Sequence, residues 1–255
     1  MARTVQAKFI PPMLLLKADR LPDEPGWTYE LKLDGYRAIA FKRDGRAQLR
    51  SRNDKDFATR YPAVVKALAN LPNETVIDGE VVAFDENGRP SFNTLQNFGT
   101  SPGPVVYYVF DVMMLAGTHL TNQSLDERRR LLEQKVLPKL NEPIRYAAPL
   151  DASLPVLIES VKSHGLEGLG AKRRDGRYEP GLRSGAWMKM RLDRGQEFVI
   201  GGYTRGTTTF DALCSATTRT TRSCTPPGHV TVSRPPLERL CSRNSGVSRS
   251  TSARS

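Results

Sequence analysis

The feature that most constrains the fold of this chain is an abrupt change of composition after Tyr203. The stretch from Gly206 to Ser255 contains ten threonines, nine serines and four prolines, and it holds all three cysteines of the 255-residue chain. Hydrophobic periodicity almost disappears there, so this stretch cannot bury enough apolar surface to offset the entropy lost on ordering. We therefore predict a folded domain over 1–205 and a basic tail rich in serine, threonine, arginine and proline, disordered or poorly packed, over 206–255.

The chain is strongly basic, with a formal net charge of +11 and a pI of about 9.8. The stretch 206–255 carries seven arginines against one aspartate and one glutamate, a net charge of +5, which leaves +6 for the preceding residues. An excess of positive charge favours a polyanionic partner, most often nucleic acid, although a generally solvated basic surface gives the same total. Charge alone therefore indicates nucleic acid without deciding the matter.

Nothing in the sequence predicts secretion or a membrane partner. No apolar run approaches the ~20 residues that span a bilayer, and no signal-peptide core follows the first ten residues. Cys214, Cys224 and Cys241 have no metal-binding spacing, and an odd number of cysteines fits no closed disulfide set. We expect a reducing, cytoplasmic compartment.

Up to Tyr203 the chain alternates strand-like and helix-like segments with turn signals between them. Asp44-Gly45 separates two strand-like runs and predicts a tight hairpin. We predict helices near 61–71, 124–137 and 155–163, and strands at 27–33, 37–42, 47–52, 75–84, 105–115, 168–172, 186–192 and 197–203. Antiparallel hairpins mixed with helices indicate an α+β fold rather than a doubly wound parallel sheet.

The hexapeptide at 32–37, Lys-Leu-Asp-Gly-Tyr-Arg, carries the strongest sign of chemistry. It sets the amine of Lys32 beside the carboxylate of Asp34 and the guanidinium of Arg37, where a predicted strand turns. A lysine in that setting can act as a nucleophile towards a nucleotide phosphate once it has lost its proton. Taken alone, the same residues equally suit an ordinary solvated strand end.

Five further segments join this hexapeptide along the chain. They are Ser51-Arg52-Asn53, Asp78-Gly79-Glu80, Phe110-Asp111, the run Glu-Gly-Leu-Gly-Ala-Lys at 167–172 and the run Trp-Met-Lys-Met-Arg at 187–191. Each has an ordinary interpretation: Glu80 or Glu167 is an exposed carboxylate, Phe110 is core, and Arg52 or Lys189 is a solvated cation. The order of these segments and their separation along the chain are more informative than any one of them.

Together the six segments resemble the nucleotidyltransferase (adenylation) core of ATP-dependent DNA ligases, an ATP-grasp-like fold of antiparallel sheets flanked by helices. The superfamily also includes RNA ligases and mRNA capping enzymes. The resemblance covers about 9–203 and is nearest to the ligase module of bacterial LigD-type enzymes of non-homologous end joining. The runs at 26–32, 172–178 and 196–203 carry that closer similarity.

The resemblance implies a reaction and a set of roles. Lys32 would attack the α-phosphate of ATP to form lysyl–AMP, which then activates a 5′-phosphate for sealing by a 3′-hydroxyl. Asp34 would orient Lys32 or help to hold the metal, and Lys189 would complete the catalytic set. The other implied residues are Glu30, Arg37, Arg52, Glu80, Phe110, Lys172, Lys189 and Arg191 for the nucleotide, and Glu167 and Glu80 for the metal.

Some of these roles are more specific. The resemblance implies that Glu30 recognises adenine, that Phe110 stacks on it, and that Arg37 and Arg52 contact ribose and phosphate. The implied cofactors are ATP and Mg²⁺ or Mn²⁺. The implied partners are nicked or broken double-stranded DNA and an end-binding repair protein, in the bacterial cytoplasm near the nucleoid.

The sequence also departs from the family pattern. Arg191 stands where the family usually has lysine, which keeps the charge but changes the donor geometry. Gly170 stands where the family usually has a larger apolar residue, so that strand is expected to pack less well.

A further departure concerns the stretch after Tyr203, where the family has an OB-fold domain. Nothing from Gly206 onward reads as five alternating strands, and the composition resembles an out-of-frame translation; a natural basic tail is the alternative. Resequencing the gene around the Thr204 codon distinguishes the two. Two other functions stay open at this point: a catalytically impaired remnant that binds nucleotide or DNA, and an RNA ligase or capping-type nucleotidyltransferase.

Overall fold

The computed structural model describes residues 5–86, 88–98 and 104–192, together with the backbone of 199–205 and 210–216. The chain divides into two compact units, Met1–Gly195 and Gln196–Ser255. The strands are β1 Leu16–Lys17, β2 Trp27–Leu31, β3 Tyr36–Arg43, β4 Arg46–Ser51, β5 Thr75–Ala83, β6 Val105–Leu115, β7 Thr118–His119, β8 Ile144–Tyr146, β9 Gly168–Arg173, β10 Trp187–Arg191, β11 Val199–Arg205 and β12 Phe210–Ala216. The α-helices are α1 Pro62–Ala67, α2 Phe92–Gln96, α3 Leu125–Leu131 and α4 Leu154–Ser163.

The first unit is built on two sheets. One has six strands in the order β4-β3-β5-β6-β7, with β8 pairing β6 from outside this path, and the other has four in the order β1-β10-β9-β2. Neighbouring strands are antiparallel except for β8 on β6 and β1 on β10, which are parallel. The predicted α+β class with antiparallel sheets is therefore confirmed.

The hairpin between β3 and β4 forms where Asp44-Gly45 predicts it. Both turn residues have positive φ, 49° at Asp44 and 77° at Gly45, as a two-residue type I′ turn requires. The turn sets the register in which Arg43 faces Arg46 across the hairpin. Because strand side chains alternate between faces, this register fixes which residues of both strands enter the core.

Helix α1 covers the outer face of the six-stranded sheet. It begins at Pro62, whose fixed φ suits a first helical turn, and it ends earlier than predicted because a 3₁₀ turn, Leu68–Asn70, replaces its last residues. Val64, Leu68 and Leu71 are buried, so this segment turns an apolar face to the sheet.

Helix α3 starts after a serine that caps its first turn. The Ser124 hydroxyl accepts a hydrogen bond from the Glu127 amide at 3.2 Å, which satisfies one free amide of the first turn. The predicted helix over 124–137 continues past Leu131 as a π turn, Leu132–Val136, and a 3₁₀ turn, Leu137–Lys139. Leu125, Leu132 and Val136 are buried. The segment therefore keeps an apolar face in the core where the α-helix passes into the π turn.

The four-stranded sheet has a different neighbour on each face. On one side Leu157 and Val161 of α4 form a buried cluster with Leu169 and Ala171 of β9. On the other side Trp187 of β10 shares a cluster with residues of the six-stranded sheet, among them Ile39, Phe41, Val76, Phe110 and Met113. The alternating residues of β9 therefore face either α4 or the space between the two sheets.

In the second unit, β11 and β12 form an antiparallel pair. The strand predicted over 197–203 is seen as Val199–Arg205, and its partner, Phe210–Ala216, comes from the stretch predicted to be a tail. The rest of that stretch, with Cys224 and Cys241, lies outside the described residues, so the division at 205 stays a prediction.

Within the described part of the chain, no helix combines the length and apolar character needed to cross a bilayer.

Candidate active site

The site is organised by the register of the four-stranded sheet. Residue pairs across neighbouring strands lie on the same face, and Gly170 of β9 pairs with Glu30 of β2 on one side and Lys189 of β10 on the other. Two residues earlier on β9, and on the same face, Gly168 pairs with Arg191. The centre of this face is therefore bare backbone flanked by charged side chains.

Lys32 follows directly after β2 and is still held in the sheet. Its amide donates a hydrogen bond to the Gly168 carbonyl at 3.0 Å. Its Nζ contacts Oε2 of Glu167, with the two side chains 17% and 20% exposed. Glu167 also forms an ion pair with Arg191, whose Nε lies 3.2 Å from Oε1. One carboxylate is therefore paired with both Lys32 and Arg191.

Gly35 is where the chain passes from one sheet to the other. A Cβ atom there would lie 2.2 Å from the Val81 carbonyl oxygen of β5 and 3.0 Å from the Glu80 side chain. No side chain fits that space, so the glycine of the hexapeptide is required by the close approach of two backbones. This approach brings Lys32, from one sheet, near Glu80 of the other.

An inner pocket of about 190 Å³ lies between the sheets. Its wall contains eight of the residues named from the sequence: Glu30, Lys32, Arg37, Arg52, Glu80, Phe110, Lys172 and Lys189. An open groove of about 620 Å³ lies beside it, with Lys32, Asp34, Glu167 and Arg191 in its wall. The structure thus brings all the predicted site residues together around two cavities, and Lys32 borders both.

The guanidinium of Arg37 is held by Asp78. Its Nε and Nη2 donate to the two carboxylate oxygens at 2.6 Å each, the bidentate arrangement that a guanidinium fork favours. Asp78 also accepts from the hydroxyl of Tyr178 at 2.6 Å, and that hydroxyl accepts from the amide of Met13 at 3.0 Å. This network fixes Arg37 at the pocket wall; its predicted contact with ribose and phosphate stays a prediction.

Phe110 packs in the core and also lies in the wall of the inner pocket. Its ring packs edge-on against Trp187, with centroids 6.2 Å apart, and only 6% of the residue is exposed. The Nζ of Lys172 lies 4.0 Å from the ring centroid, and the Cζ of Arg37 lies 4.6 Å from it. Burial and the charge of Arg129 hold the pKa of Lys172 well below its usual value.

Two further groups at the Lys32 end of the pocket have shifted pKa values. Burial raises the pKa of Glu80 to about 7; Arg37 and Lys32 oppose the shift, and Asp78 adds to it. Partial burial lowers the pKa of Lys189, and the positive charge of Lys32 lowers it further. The charges of the two sheets are therefore coupled across this pocket.

A comparison with protein families decides the identity of this arrangement. Residues 17–191 match the model of the ATP-dependent DNA ligase domain. This chain belongs to that family. The matched range includes all six segments that suggested a ligase in the sequence, and the resemblance to ATP-dependent ligases is confirmed.

This ligase domain is similar to LigD-type proteins. It is 38% identical over 205 residues to the multifunctional non-homologous end joining protein LigD of Pseudomonas aeruginosa, covering 79% of this chain and 24% of that one. The LigD of Mycolicibacterium smegmatis is 37% identical over 183 residues, covering 71% of this chain and 23% of that one. The chain thus spans about a quarter of the length of these curated relatives.

A solved structure gives the same answer for the fold. A mycobacterial DNA ligase D complexed with ATP and MES superposes with a TM-score of 0.66 at 32% identity, covering 81% of this chain and 67% of that one. The sheets of the ligase domain described above therefore follow a known nucleotidyltransferase architecture.

The sequence did not reveal one buried group of this ligase domain. Arg129 of α3 forms an ion pair with Glu30, and Lys172 lies 2.8 Å from the other oxygen of that carboxylate. Arg129 is only 5% exposed. Its trace in the sequence is the run of three arginines at 128–130, which does not by itself show which of them are buried.

The residues present suit a metal ion that arrives with the nucleotide. Within the described ranges, no cluster of three or more histidine, cysteine or acidic side chains forms a ready-made metal site. Mg²⁺ commonly takes one or two protein carboxylates and completes its shell with phosphate oxygens and water. Glu167 and Glu80, on either side of Lys32, are a suitable pair for that mode of binding.

Proposed function

We propose that this ligase domain transfers AMP from ATP to Lys32 and then to a 5′-phosphate at a nick or break in DNA, which a 3′-hydroxyl seals. The observation that carries the proposal is the position of Lys32, whose side chain borders both the inner pocket and the open groove. A nucleophile on that border can take an adenylate from one side and present it to a second substrate on the other.

In the first step a bond forms between Nζ of Lys32 and the α-phosphorus, and the bond from that phosphorus to the bridging oxygen breaks. Pyrophosphate leaves, and the attacking neutral amine gives up one proton to solvent, because the nitrogen of the phosphoramidate keeps a single hydrogen. Glu167 is the carboxylate in contact with the Lys32 amine, so it orients the amine before attack. A Mg²⁺ held by Glu167 and Glu80 would neutralise phosphate charge.

The inner pocket suits the rest of the nucleotide. The aromatic ring of Phe110 and the carboxylate of Glu30 lie in its wall, with Arg52 and Lys189. A purine stacks on an aromatic ring and hydrogen-bonds to polar groups, while the cations suit phosphate. We therefore place the base towards Phe110 and the phosphates towards Lys32 and Lys189.

The first test is covalent labelling with ATP that carries a labelled α-phosphate, in the presence of Mg²⁺. We expect the full chain to become labelled and Lys32→Ala or Lys32→Arg to remain unlabelled, because neither side chain is the required amine nucleophile. Lys66→Ala is the matched control, since this exposed lysine of α1 borders neither cavity.

The outcomes separate the alternatives. Equal labelling of Lys32→Ala and the wild type would overturn the proposal. Retained ATP binding without any label would indicate a remnant that no longer turns over. A preference for GTP would favour a capping-type enzyme.

We also propose that the substrate is broken double-stranded DNA in the bacterial cytoplasm and that an end-binding repair protein delivers it. The similarity to proteins described as non-homologous end joining LigD supports this part. Sealing of a nicked DNA duplex, compared with the same nick in RNA, tests it. Preferential sealing of RNA would contradict it.

A further inference from the structure

Gly170 lies at the centre of the inner pocket wall, in the middle of β9. It pairs with Glu30 on one side and with Lys189 on the other, and all three residues border the pocket. A glycine inside a strand weakens the strand and commonly marks a close approach by a ligand or another backbone. The space that a side chain would take at this position belongs to the pocket.

Gly168, two residues earlier on the same face, gives the contrast. It has a φ of +154°, and a Cβ there would lie 2.1 Å from the Met190 carbonyl oxygen, so the backbone itself demands glycine. At Gly170 the nearest atoms to a built Cβ are Met188 O at 3.7 Å, Leu15 Cδ2 at 3.8 Å and Glu30 O at 3.9 Å. These are ordinary contacts, so nothing in the protein excludes a side chain.

We propose that the bare backbone of Gly170 leaves a recess beside the nucleobase, which lets this enzyme use adenosine triphosphates that carry a bulky substituent on the exocyclic amine. The inference deepens the proposed function, because it concerns the same pocket. The exocyclic amine needs a hydrogen-bond acceptor, and Glu30, the cross-strand neighbour of Gly170, supplies one in the pocket wall. A substituent on that amine then lies next to the recess.

The substituent is the discriminating feature because a side chain at position 170 would extend into the pocket. The pocket is about 190 Å³, so such a side chain would remove part of its free space. Unmodified adenine does not need the recess, whereas an enlarged base does. Residue 170 therefore sets an upper limit on the size of the base.

The experiment is a competition between ATP and N6-benzyl-ATP for Lys32, read by intact mass spectrometry, since the two adducts differ in mass. The wild type is compared with Gly170→Ala and Gly170→Leu. We expect the wild type to form both adducts. The ratio of benzyl to plain adduct should fall about tenfold or more with leucine, and by a smaller factor with alanine, which fits without moving its neighbours.

The matched control is Ala171→Gly, whose site is next along β9 but faces α4. It alters the strand without touching the recess, so the adduct ratio should stay at the wild-type value. Where leucine prevents folding, judged by the cooperativity of thermal unfolding, the alanine variant decides the question alone.

An adduct ratio that is the same in the wild type, Gly170→Ala and Gly170→Leu would overturn this inference and leave the proposed function intact. The same applies if the wild type accepts ATP but rejects the benzyl analogue. If the wild type neither binds ATP nor forms any adduct, the proposed function itself fails, and the inference fails with it.

Discussion

At the scale of single residues, Glu80 provides the clearest test of the electrostatics. Burial raises the pKa of Glu80 from 4.5 to about 7 in the folded protein. Between these values the folded state binds more protons than the unfolded state, so this group makes stability fall as the pH rises from about 4.5 to 7. The loss amounts to at most about 3 kcal/mol.

Glu80→Gln should remove that part of the pH dependence. We expect the free energy of unfolding, measured with urea in metal-free buffer, to change less between pH 5 and pH 7.5 in the variant than in the wild type. Glu159→Gln, at an exposed position of α4, should keep the wild-type dependence. Identical pH profiles for Glu80→Gln and the wild type would contradict the raised pKa.

The residues that line the two cavities could be singled out in the sequence because their types and spacing are distinctive. The pairing of Lys32 with Glu167 joins two of the motifs recognised in the sequence. The partner of Arg37 was not predictable in the same way. Asp78 lies in one of the recognised segments, but the sequence gives it no partner, and only the pairing of β3 with β5 brings it to Arg37. Long-range contacts of this kind leave no local pattern.

At the scale of elements, α3 docks on β6 through a charged pair. Arg128 donates to both oxygens of Asp111 at 2.8 Å, and both side chains are fully buried. The remaining donors of Arg128 reach the Gln123 and Gly176 carbonyl oxygens. Breaking such a buried pair leaves an uncompensated charge, which typically costs ~3–5 kcal/mol.

A second arginine of helix α3 provides the control for the free-energy cost of breaking the buried pair. Arg128→Met should lower the free energy of unfolding by about 3 kcal/mol or more. Arg130→Met, which removes an exposed pair with Glu127 on the same helix, should change it far less, because solvent-exposed ion pairs contribute little to stability. Chemical denaturation of both variants checks the difference, and similar losses in the two would argue against a buried charge at Arg128.

Long elements with strong patterns were predicted well, and short ones were not. The strand predicted at 105–115 is seen as Val105–Leu115 because a run of valine and aromatic residues favours a buried strand. Leu16–Lys17 and Ile144–Tyr146 are too short to show any period, and they become strands only because β10 and β6 offer free edges. Helix α2, with five residues, was missed for the same reason.

At the scale of the whole molecule, the positive charge predicts how DNA binding depends on salt. The formal net charge is +11, and contacts between cations and phosphates release counterions on binding. We expect the affinity for nicked duplex to fall about tenfold or more between 50 and 200 mM salt. An affinity that does not change over this range would exclude an interface based on phosphate contacts.

One exposed cation of the open groove refines this test. Arg89 borders that groove, so Arg89→Gln should reduce the slope of log affinity against log salt by about one. Arg46→Gln, at an exposed position of the hairpin between β3 and β4, should leave the slope unchanged. Equal slopes for all three proteins would mean that DNA does not follow the groove near Arg89.

The fold class of the first unit could be predicted from the alternation of strands and turns. The division at 205, which rests on composition, stays a prediction, because most of 206–255 lies outside the described residues. Composition reports only the average tendency of a stretch to bury apolar surface, so it did not predict that Phe210–Ala216 pairs with β11.

The position of Lys32 on the border of two cavities has a consequence for kinetics. On the proposed function, pyrophosphate leaves by the groove into which a DNA end must then come, so the two cannot occupy it together. The catalytic cycle is then a strict alternation, in which the first product departs before the second substrate is admitted. Pyrophosphate should accordingly compete with DNA for the groove. Its removal should speed the transfer of AMP from the lysine to the 5′-phosphate of the broken strand.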